Sequence, residues 1–494
     1  LRRPTLVALG LQKERDQVIL KQFYLGCLSH ASYMIADQRT GVAAVVDPQR
    51  DIDQYVAEAN ANGWTIRYVF LTHFHADFLA GHIELRDRLG AHIYLGAAAQ
   101  AKYAFEPVRD GDVIEFGDVR ISIMETPGHT PEGISLLVHD LASSDIQPHA
   151  VLTGDTLFIG DVGRPDLLAS VGVTADQLAE MLYQSVNRLR ELPDTTLVYP
   201  AHGAGSMCGK ALSKETVSTI GDQKRDNYAL QPMSAEAFRQ IVTADQPEAP
   251  EYFAHDAVLN RQDRSSLDRV VRESMEPLSV ADVIAMQADG AQVLDVRESI
   301  DYEGAHFQKA AHIALNGRYA TWCGTVLKTD LPIVVIAEPG EEQEAVMRLG
   351  RIGYDNVAGY LDGGMRTLQS HAHLLTSTPR ITAKELQSMR SQQSAVLIVD
   401  VRSESEWNTS HIDGSLSMPL NQVRERAAEL PKDRQLVVHC AGGYRSAIAV
   451  SLLEQAGYQA WDLVGGLAAW NALGLPATAA SESSACTTAS ACSR

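Results

Sequence analysis

Six residues of metal-binding type stand within the first 202 positions. His73, His75 and Asp77 lie in Thr72-His-Phe-His-Ala-Asp-Phe78. His129 follows in Thr126-Pro-Gly-His129, Asp155 in Thr153-Gly-Asp155, and His202 in Tyr199-Pro-Ala-His202-Gly203. Imidazole and carboxylate donors together suit Fe(II) or Zn(II) rather than Mg(II) or Ca(II). A lone histidine is usually a core or surface residue. An ordered series, each member in a Gly/Pro turn after a β-type run, is expected to converge on one metal. Phe78 occupies the position where a two-metal site would need another ligand, and its ring offers no donor.

A second reactive group is Cys440, in Val437-Val-His-Cys440-Ala441-Gly442-Gly443-Tyr444-Arg445-Ser446. A β-type run ends at the cysteine and a tight Gly-rich loop enters a helix. Loop amides and the helix N-terminus then point at the sulfur, stabilising a thiolate or persulfide and cradling an oxyanion. Arg445 adds positive charge. Cys208 sits six residues past His202 between glycines, where Lys210 is expected to lower its pKa.

The elements that must position these groups follow from the apolar pattern. Val42–Asp47, Ile66–Leu71, His92–Leu95, Ile121–Glu125, Ile134–Val138, Val151–Thr153 and Thr196–Tyr199 read as strands. Thr174–Leu192 has helical spacing, with Thr174 and Gln177 forming a capping box. Nearly every candidate ligand directly follows a strand, so the loops are expected to meet at one sheet edge. Beyond residue 277 the chain repeats itself. Val293-Leu-Asp-Val-Arg297 returns as Ile398-Val-Asp-Val-Arg402, Ile352-Gly-Tyr354 as Ala456-Gly-Tyr458, and Leu361-Asp-Gly-Gly364 as Leu463-Val-Gly-Gly466. Apolar runs at Pro332–Ala337 and Leu436–Cys440 alternate with helices, which implies a parallel sheet in each copy. The first copy has Ala337 where the second has its cysteine, and Glu338, Glu341 and Glu342 where an anion cradle should be. It is expected to be inactive.

The expected divisions are a metal-binding domain at 18–232, a Pro/acid connector at 233–276 and α/β copies at 277–374 and 378–476. An Ala/Ser/Thr-rich tail at 477–494 is expected to be disordered. At 494 residues the chain exceeds one core. A net charge of −20 argues against nucleic acid or anionic membrane as partner. No apolar run is long enough for a membrane span, and the stretch after Leu1-Arg-Arg-Pro4 is too short for a secretory signal. Cys27, Cys208, Cys323, Cys440, Cys486 and Cys492 form no spaced framework, which fits free thiols in a cytoplasmic protein.

Over about residues 20–225 these motifs resemble, in the same order, the metallo-β-lactamase superfamily. They are most similar to its persulfide dioxygenase branch, on Thr72–Asp77, Thr126-Pro-Gly-His129-Thr-Pro-Glu-Gly133, Thr153-Gly-Asp155-Thr-Leu-Phe158 and Gly163-Arg164-Pro-Asp166. The resemblance implies an αββα sandwich and one Fe(II) per chain, held by His73, His129 and Asp155. It implies that His75, Asp77 and His202 orient ligands and waters. It also implies that Arg164 lies by the substrate, where a guanidinium can pair with a carboxylate, and that Cys208 accepts or relays persulfide sulfur. A salt bridge closing a loop is the plainer reading of Arg164, and a buried idle thiol that of Cys208. A dinuclear hydrolase such as glyoxalase II is expected to carry His in place of Phe78.

The Cys440 loop resembles that of the rhodaneses, supported by Asp400-Val-Arg402, Glu406-Trp407, His411-Ile-Asp-Gly414 and Gly465-Gly466. Four residues separate Cys440 from Arg445, whereas the related cysteine phosphatases have five. The resemblance implies substrate binding by Ala441, Gly442, Gly443, Tyr444 and Ser446. The whole is expected to be α/β and α+β. It would use O2 to oxidise a low-molecular-weight thiol persulfide to sulfite and transfer sulfur through Cys440 to form thiosulfate, as a homo-oligomer. The competing readings are a glyoxalase II-like hydrolase, a sulfur-trafficking module with a vestigial metal site, and a cysteine phosphatase in the last domain.

Overall fold

The computed structural model describes residues 18–143, 146–167, 173–210, 212–244, 246, 249–250, 252–392 and 396–479. Cys486 and Cys492 lie outside them. The chain divides into two compact units, the first of residues 1–267 with 351–353, the second of 268–350 with 354–494.

The first unit is built on two six-stranded sheets. One runs in the order β1 (Ile19–Leu25), β2 (His30–Asp37), β3 (Val42–Val46), β4 (Thr65–Phe70), β5 (His92–Gly96), β6 (Glu106–Val108). The other holds β7 (Val113–Phe116), β8 (Val119–Glu125), β9 (Ile134–Asp140), β10 (Ala150–Gly154), β11 (Leu197–Pro200) and β12 (Ser218–Thr219), with β7 and β12 at its edges. Strand alternation makes the layers. In β10, Ala150 and Leu152 enter the core shared with Tyr33, Val46 and Phe70 of the first sheet. Val151 points the other way, onto helix α3. Helices α1 (Asp53–Asn62) and α2 (His82–Leu89) pack against the first sheet at β4. Helix α3 (Ala175–Arg190) buries Leu178, Leu182, Val186 and Leu189, a stripe at helical spacing, against the second. The expected αββα sandwich is therefore present.

The capping box forms as read: Thr174 Oγ1 accepts from Gln177 N, and Gln177 Oε1 accepts from Thr174 N. Strands β1 and β2 were not among the expected ones. All eight residues of β2 are buried, so His-Ala-Ser-Tyr-Met-Ile-Ala-Asp shows no polar/apolar alternation to find. The connector also belongs largely to this unit. Phe238 and Val242 of α4, written here for Ala235–Thr243, sit in the core under α3.

The second unit contains the repeat. One parallel sheet orders Pro277–Leu278, Val357–Leu361, Ile333–Ile336, Gln292–Asp295, Ala311–His312. The other orders Arg380–Ile381, Ala460–Leu463, Gln435–His439, Val396–Asp400, Leu416–Ser417, likewise parallel. The copies match down to side-chain bonds. Arg297 pairs with Asp295 at 2.7 Å and donates to the Ala305 carbonyl. Arg402 pairs with Asp400 at 2.6 Å and donates to the Ser410 carbonyl. One correction concerns the tail: Ala477–Thr478 is a short strand paired with His411–Ile412 rather than disordered chain. Two backbone pairs and a Thr478 hydroxyl contact with His411 hold it. No helix among the described residues is long and apolar enough to cross a membrane.

Candidate metal centre and sulfur site

Asp47, the residue after β3, begins the construction. Its φ of 49° turns the chain sharply, and its carboxylate accepts from Thr72 N and Thr72 Oγ1, both at 2.8 Å. Since the Thr72 hydroxyl spends its proton on Asp47, it accepts from His73 Nδ1 at 2.9 Å. His73 is thereby fixed as the tautomer whose Nε2 carries a lone pair. His129 is set the same way, its Nδ1 donating to the Arg164 carbonyl at 2.9 Å. Both Nε2 atoms face Asp155 Oδ2, at 3.8 Å from His73 and 3.5 Å from His129.

Burial, aided by His75, holds His73 well below its ordinary pKa, so it is neutral and able to ligate. Burial alone would raise Asp155, yet the charge of His202 and the hydrogen bond from it bring Asp155 well below the carboxylate range. Asp155 Oδ2 has no hydrogen-bond donor among the described residues. Metal–nitrogen bonds of about 2.1 Å place neighbouring donors about 3–3.5 Å apart, so a small contraction closes these three on one ion. Two imidazoles and a carboxylate, aimed at one point with an unsatisfied oxygen, fit iron or zinc. A small cavity lined by Thr130, Thr156 and the three ligands adjoins them.

The other expected residues surround this trio. His202 Nδ1 donates to Asp155 Oδ1 at 2.7 Å, and its Nε2 lies 2.9 Å from Asp77 Oδ2. Burial pushes His202 down, but the two carboxylates together raise it well above the imidazole range. It is an imidazolium clamp between Asp77 and Asp155. His75 Nε2 lies 3.0 Å from Asp47 Oδ1, turned from the three ligands. Phe78 packs its ring 4.0 Å from that of His30 and 4.4 Å from that of His75.

Two expectations change. Arg164 is buried with its guanidinium bonded to Asp166 at 2.8 and 2.6 Å, so the loop-closing reading describes the side chain, while its carbonyl holds His129. Lys210 does not activate Cys208. Its ammonium donates to the Ile241 and Ala244 carbonyls, and burial with Asp77 and Asp155 nearby pushes the Cys208 thiol well up.

Four positioning residues were not foreseen. Besides Asp47, Glu132 Oε1 accepts from Phe74 N at 3.1 Å. Asn260 donates to the carbonyls of His75 and Phe78, both at 2.8 Å, and accepts from Ala80 N. His30 is fully buried with neither ring nitrogen bonded. The backbone around it zips to the His202 loop through Ala31 N to Ala201 O and Gly203 N to Ser29 O. An Asp directly after a strand was a visible signal for Asp47; Asn260, 180 residues from Ala80, carried none.

In the second unit, Gln435–His439 delivers Cys440 into a loop whose Gly443 N donates to the sulfur at 3.1 Å. Leu467 N and Ala468 N take the carbonyls of Cys440 and Ala441, which turns those carbonyls away from the sulfur. Gly466 permits this approach: a Cβ there would meet Cys440 O at 2.4 Å. Ser446 Oγ donates to the Gly443 carbonyl, and Tyr444 Oη to the Ala314 carbonyl of the first copy. Arg445 is held by Glu406 through two bonds of 2.7 and 2.9 Å. In the first copy Gly364 repeats the approach, to Ala337 O, with no sulfur present. Burial and then Glu338, Glu344, Glu298 and Glu342 raise Glu341. Cys323 is buried with its thiol pushed up by burial, as expected of a structural cysteine.

The metallo-β-lactamase superfamily signature matches residues 25–202, and the rhodanese-like domain signature matches 279–371 and 382–473. A hydroxyacylglutathione hydrolase of Bradyrhizobium sp. is 31% identical over 227 residues, 45% of this chain and 79% of the relative. The mitochondrial persulfide dioxygenase of Bos taurus is 30% identical over 230 residues, 46% of this chain and 80% of the relative. A crystal structure of a metallo-β-lactamase from Staphylococcus aureus superposes with a TM-score of 0.63 at 32% identity, covering 70% of this chain and 99% of that one.

Proposed function

We infer that this chain, which belongs to the metallo-β-lactamase superfamily through its first unit and carries two rhodanese-like domains in its second, is a persulfide dioxygenase with sulfurtransferase activity. The observation that carries this reading is the trio of metal donors His73, His129 and Asp155, with Phe78 and not a donor residue following Asp77, in the same chain as a cysteine whose sulfur accepts from a loop amide. The substrate would be a low-molecular-weight thiol persulfide. Its outer sulfur is oxidised to sulfite as O2 is consumed, water supplies the third oxygen, and the thiol leaves.

Fe(II) held by His73, His129 and Asp155 would supply open positions for O2 and sulfur, as two-His-one-carboxylate sites do. The protein's own part is preparation. Thr72 and the Arg164 carbonyl fix both imidazole tautomers. The His202 clamp keeps Asp155 ionised and oriented. Asp77 steadies His202, and His75 anchors its loop on Asp47. Arg164 would contact a substrate carboxylate only by leaving Asp166, and Cys208 would be a candidate sulfur acceptor. In the second unit Cys440 would carry sulfane sulfur and pass it to sulfite, forming thiosulfate. Ala441 to Ser446 would cradle the anion, with Arg445 supplying charge. No disulfide joins the four cysteines among the described residues, which fits a cytoplasmic setting.

The hydrolase reading has its own support in the similarity to hydroxyacylglutathione hydrolases. One experiment separates the two. Metal analysis of the purified chain is expected to give one iron, with O2 uptake on a panel of glutathione, coenzyme A and cysteine persulfides. Two metals per chain with thioester hydrolysis and no O2 uptake would overturn the reading.

A further inference from the structure

A buried acid lies under the Cys440 loop. Asp462 stands in the strand Ala460–Leu463, paired with Val438 on one side and Arg380 on the other. Its Oδ1 finds no donor among the described residues. Ser446, fully buried on the helix that follows the loop, hydrogen-bonds the carboxyl. The same hydroxyl donates to the Gly443 carbonyl at 3.0 Å, and Gly443 N donates to the Cys440 sulfur at 3.1 Å. One hydroxyl and one glycine therefore link the carboxyl to the sulfur. The titratable and charged groups around it are Arg380, whose Nε lies 2.7 Å from Glu303 Oε2 of the first copy, and Glu454, which faces His306 at 3.1 Å. Burial pushes Asp462 up to about 6 against the pull of Ser446 and Arg380. Burial, then the charge of Asp462, pushes Glu303 up to about 7.

We propose that Asp462 is a positioning residue for sulfur transfer, its proton deciding whether the Ser446 hydroxyl holds the Gly443 carbonyl or the carboxylate. The inference rests on the reading of Cys440 as a sulfurtransferase nucleophile. A hydroxyl has a single proton to give. Protonated, Asp462 donates to Ser446 Oγ and leaves the hydroxyl proton on the Gly443 carbonyl. Ionised, Asp462 only accepts: its own proton passes to water, Ser446 turns to the carboxylate, and the Gly443 carbonyl loses its donor. The loop then cradles an anion less tightly. Anion binding is strongest below the Asp462 titration and weakens as pH rises through about 6.

Loading of Cys440 by thiosulfate in a single turnover tests it. The thiolate takes the outer sulfur, one S–S bond forms as another breaks, and the sulfite that leaves is counted. The full-length protein is read at about pH 5 and about pH 8, below and above the Asp462 titration. Asp462→Asn, whose amide always donates to Ser446, should match the wild type at the lower pH. At the higher pH it should need about two- to tenfold less thiosulfate for half-saturation, the worth of one hydrogen bond. In a Ser446→Ala background the same substitution should change nothing. A variant-to-wild-type ratio that is equal at both pH values overturns the proposal, as does a gain that survives Ser446→Ala, which would make charge alone the cause. Where Asp462→Asn does not fold, Ser446→Ala by itself should raise the half-saturating thiosulfate about two- to tenfold at the lower pH and leave it unchanged at the higher. An equal effect at both overturns the proposal. A wild-type protein that releases no sulfite overturns the reading of Cys440 and this inference with it, whereas release with a pH-independent ratio overturns the inference alone.

Discussion

Protons decide what the reactive groups can do. His73 and His129 each keep a lone pair on Nε2 because Thr72 and the Arg164 carbonyl accept from their Nδ1 groups, and His202 stays charged because two carboxylates flank it. The same logic governs Arg445, whose guanidinium is committed to Glu406. That bond is the main cause holding the Glu406 carboxyl down, from 4.5 to about 2. A depressed carboxyl contributes stability above its unfolded pKa of 4.5 and loses it as pH falls through about 2, so the pair should persist throughout the neutral range. Glu406→Gln should release Arg445 toward the anion loop and lower the KM for thiosulfate about two- to fivefold, the range of a partly exposed ion pair. Steady-state sulfurtransferase kinetics measures it, and a raised KM would show that Glu406 positions Arg445 productively. The types and order of His73, His129 and Asp155 were readable in the chain because each stands in a turn after a strand. The pairing of Arg164 with Asp166 and the turn of Lys210 toward the Ile241 and Ala244 carbonyls were not. Long cationic side chains choose among neighbours that only the fold brings near.

Helix α3 is the buttress of the metal centre. Ser185 Oγ donates to the Pro127 carbonyl at 2.7 Å, and Arg188 to the Glu125 carbonyl at 2.8 Å, so the segment leading into His129 rests on it. Gly128, at φ 146°, touches the helix: a Cβ there would meet the Leu182 backbone at 2.4 Å. Gly128→Ala must push the loop from the helix, an overpacking cost of about 1–3 kcal/mol. Metal affinity should fall about tenfold or more, measured by competition with a chelator; unaltered affinity would mean that His129 is placed independently of α3. Its capping box and apolar stripe made α3 evident from the sequence, whereas β2 was hidden because both its faces are buried. The repeat teaches a complementary lesson. The two copies share the Asp–Arg pair and the glycine approach, so the first keeps the frame of a sulfurtransferase loop without its sulfur. Ala337→Cys should therefore yield no measurable thiosulfate sulfurtransfer in a Cys440→Ser background, because Glu338, Glu341 and Glu342 still repel the anion. Activity above background would make the missing nucleophile the sole defect.

Each unit holds its own cluster of reactive groups. The three metal donors and the groups hydrogen-bonded to their side chains all fall within residues 47–202, while Cys440, its donor Gly443 and the Glu406–Arg445 pair all fall in the second unit. The division was legible in the chain, since an internal repeat that starts after residue 277 marks a separate body even where no boundary residue can be read. The two proposed activities, one in each unit, should separate by mutation. His129→Ala removes a donor whose Nε2 has no substitute within the trio, so sulfite formation from a thiol persulfide should fall at least ~100-fold, beyond what loss of an orienting contact produces. The same variant should keep wild-type thiosulfate sulfurtransfer, because no group of the Cys440 loop is touched. Cys440→Ser should do the reverse: O2 uptake persists, sulfurtransfer is lost, and the product shifts from thiosulfate to sulfite. Ion chromatography of both products alongside O2 consumption reads all of these at once. A folded His129→Ala protein that loses sulfurtransfer, or a Cys440→Ser protein with an unchanged thiosulfate-to-sulfite ratio, would show that the two chemistries are not divided between the units in this way.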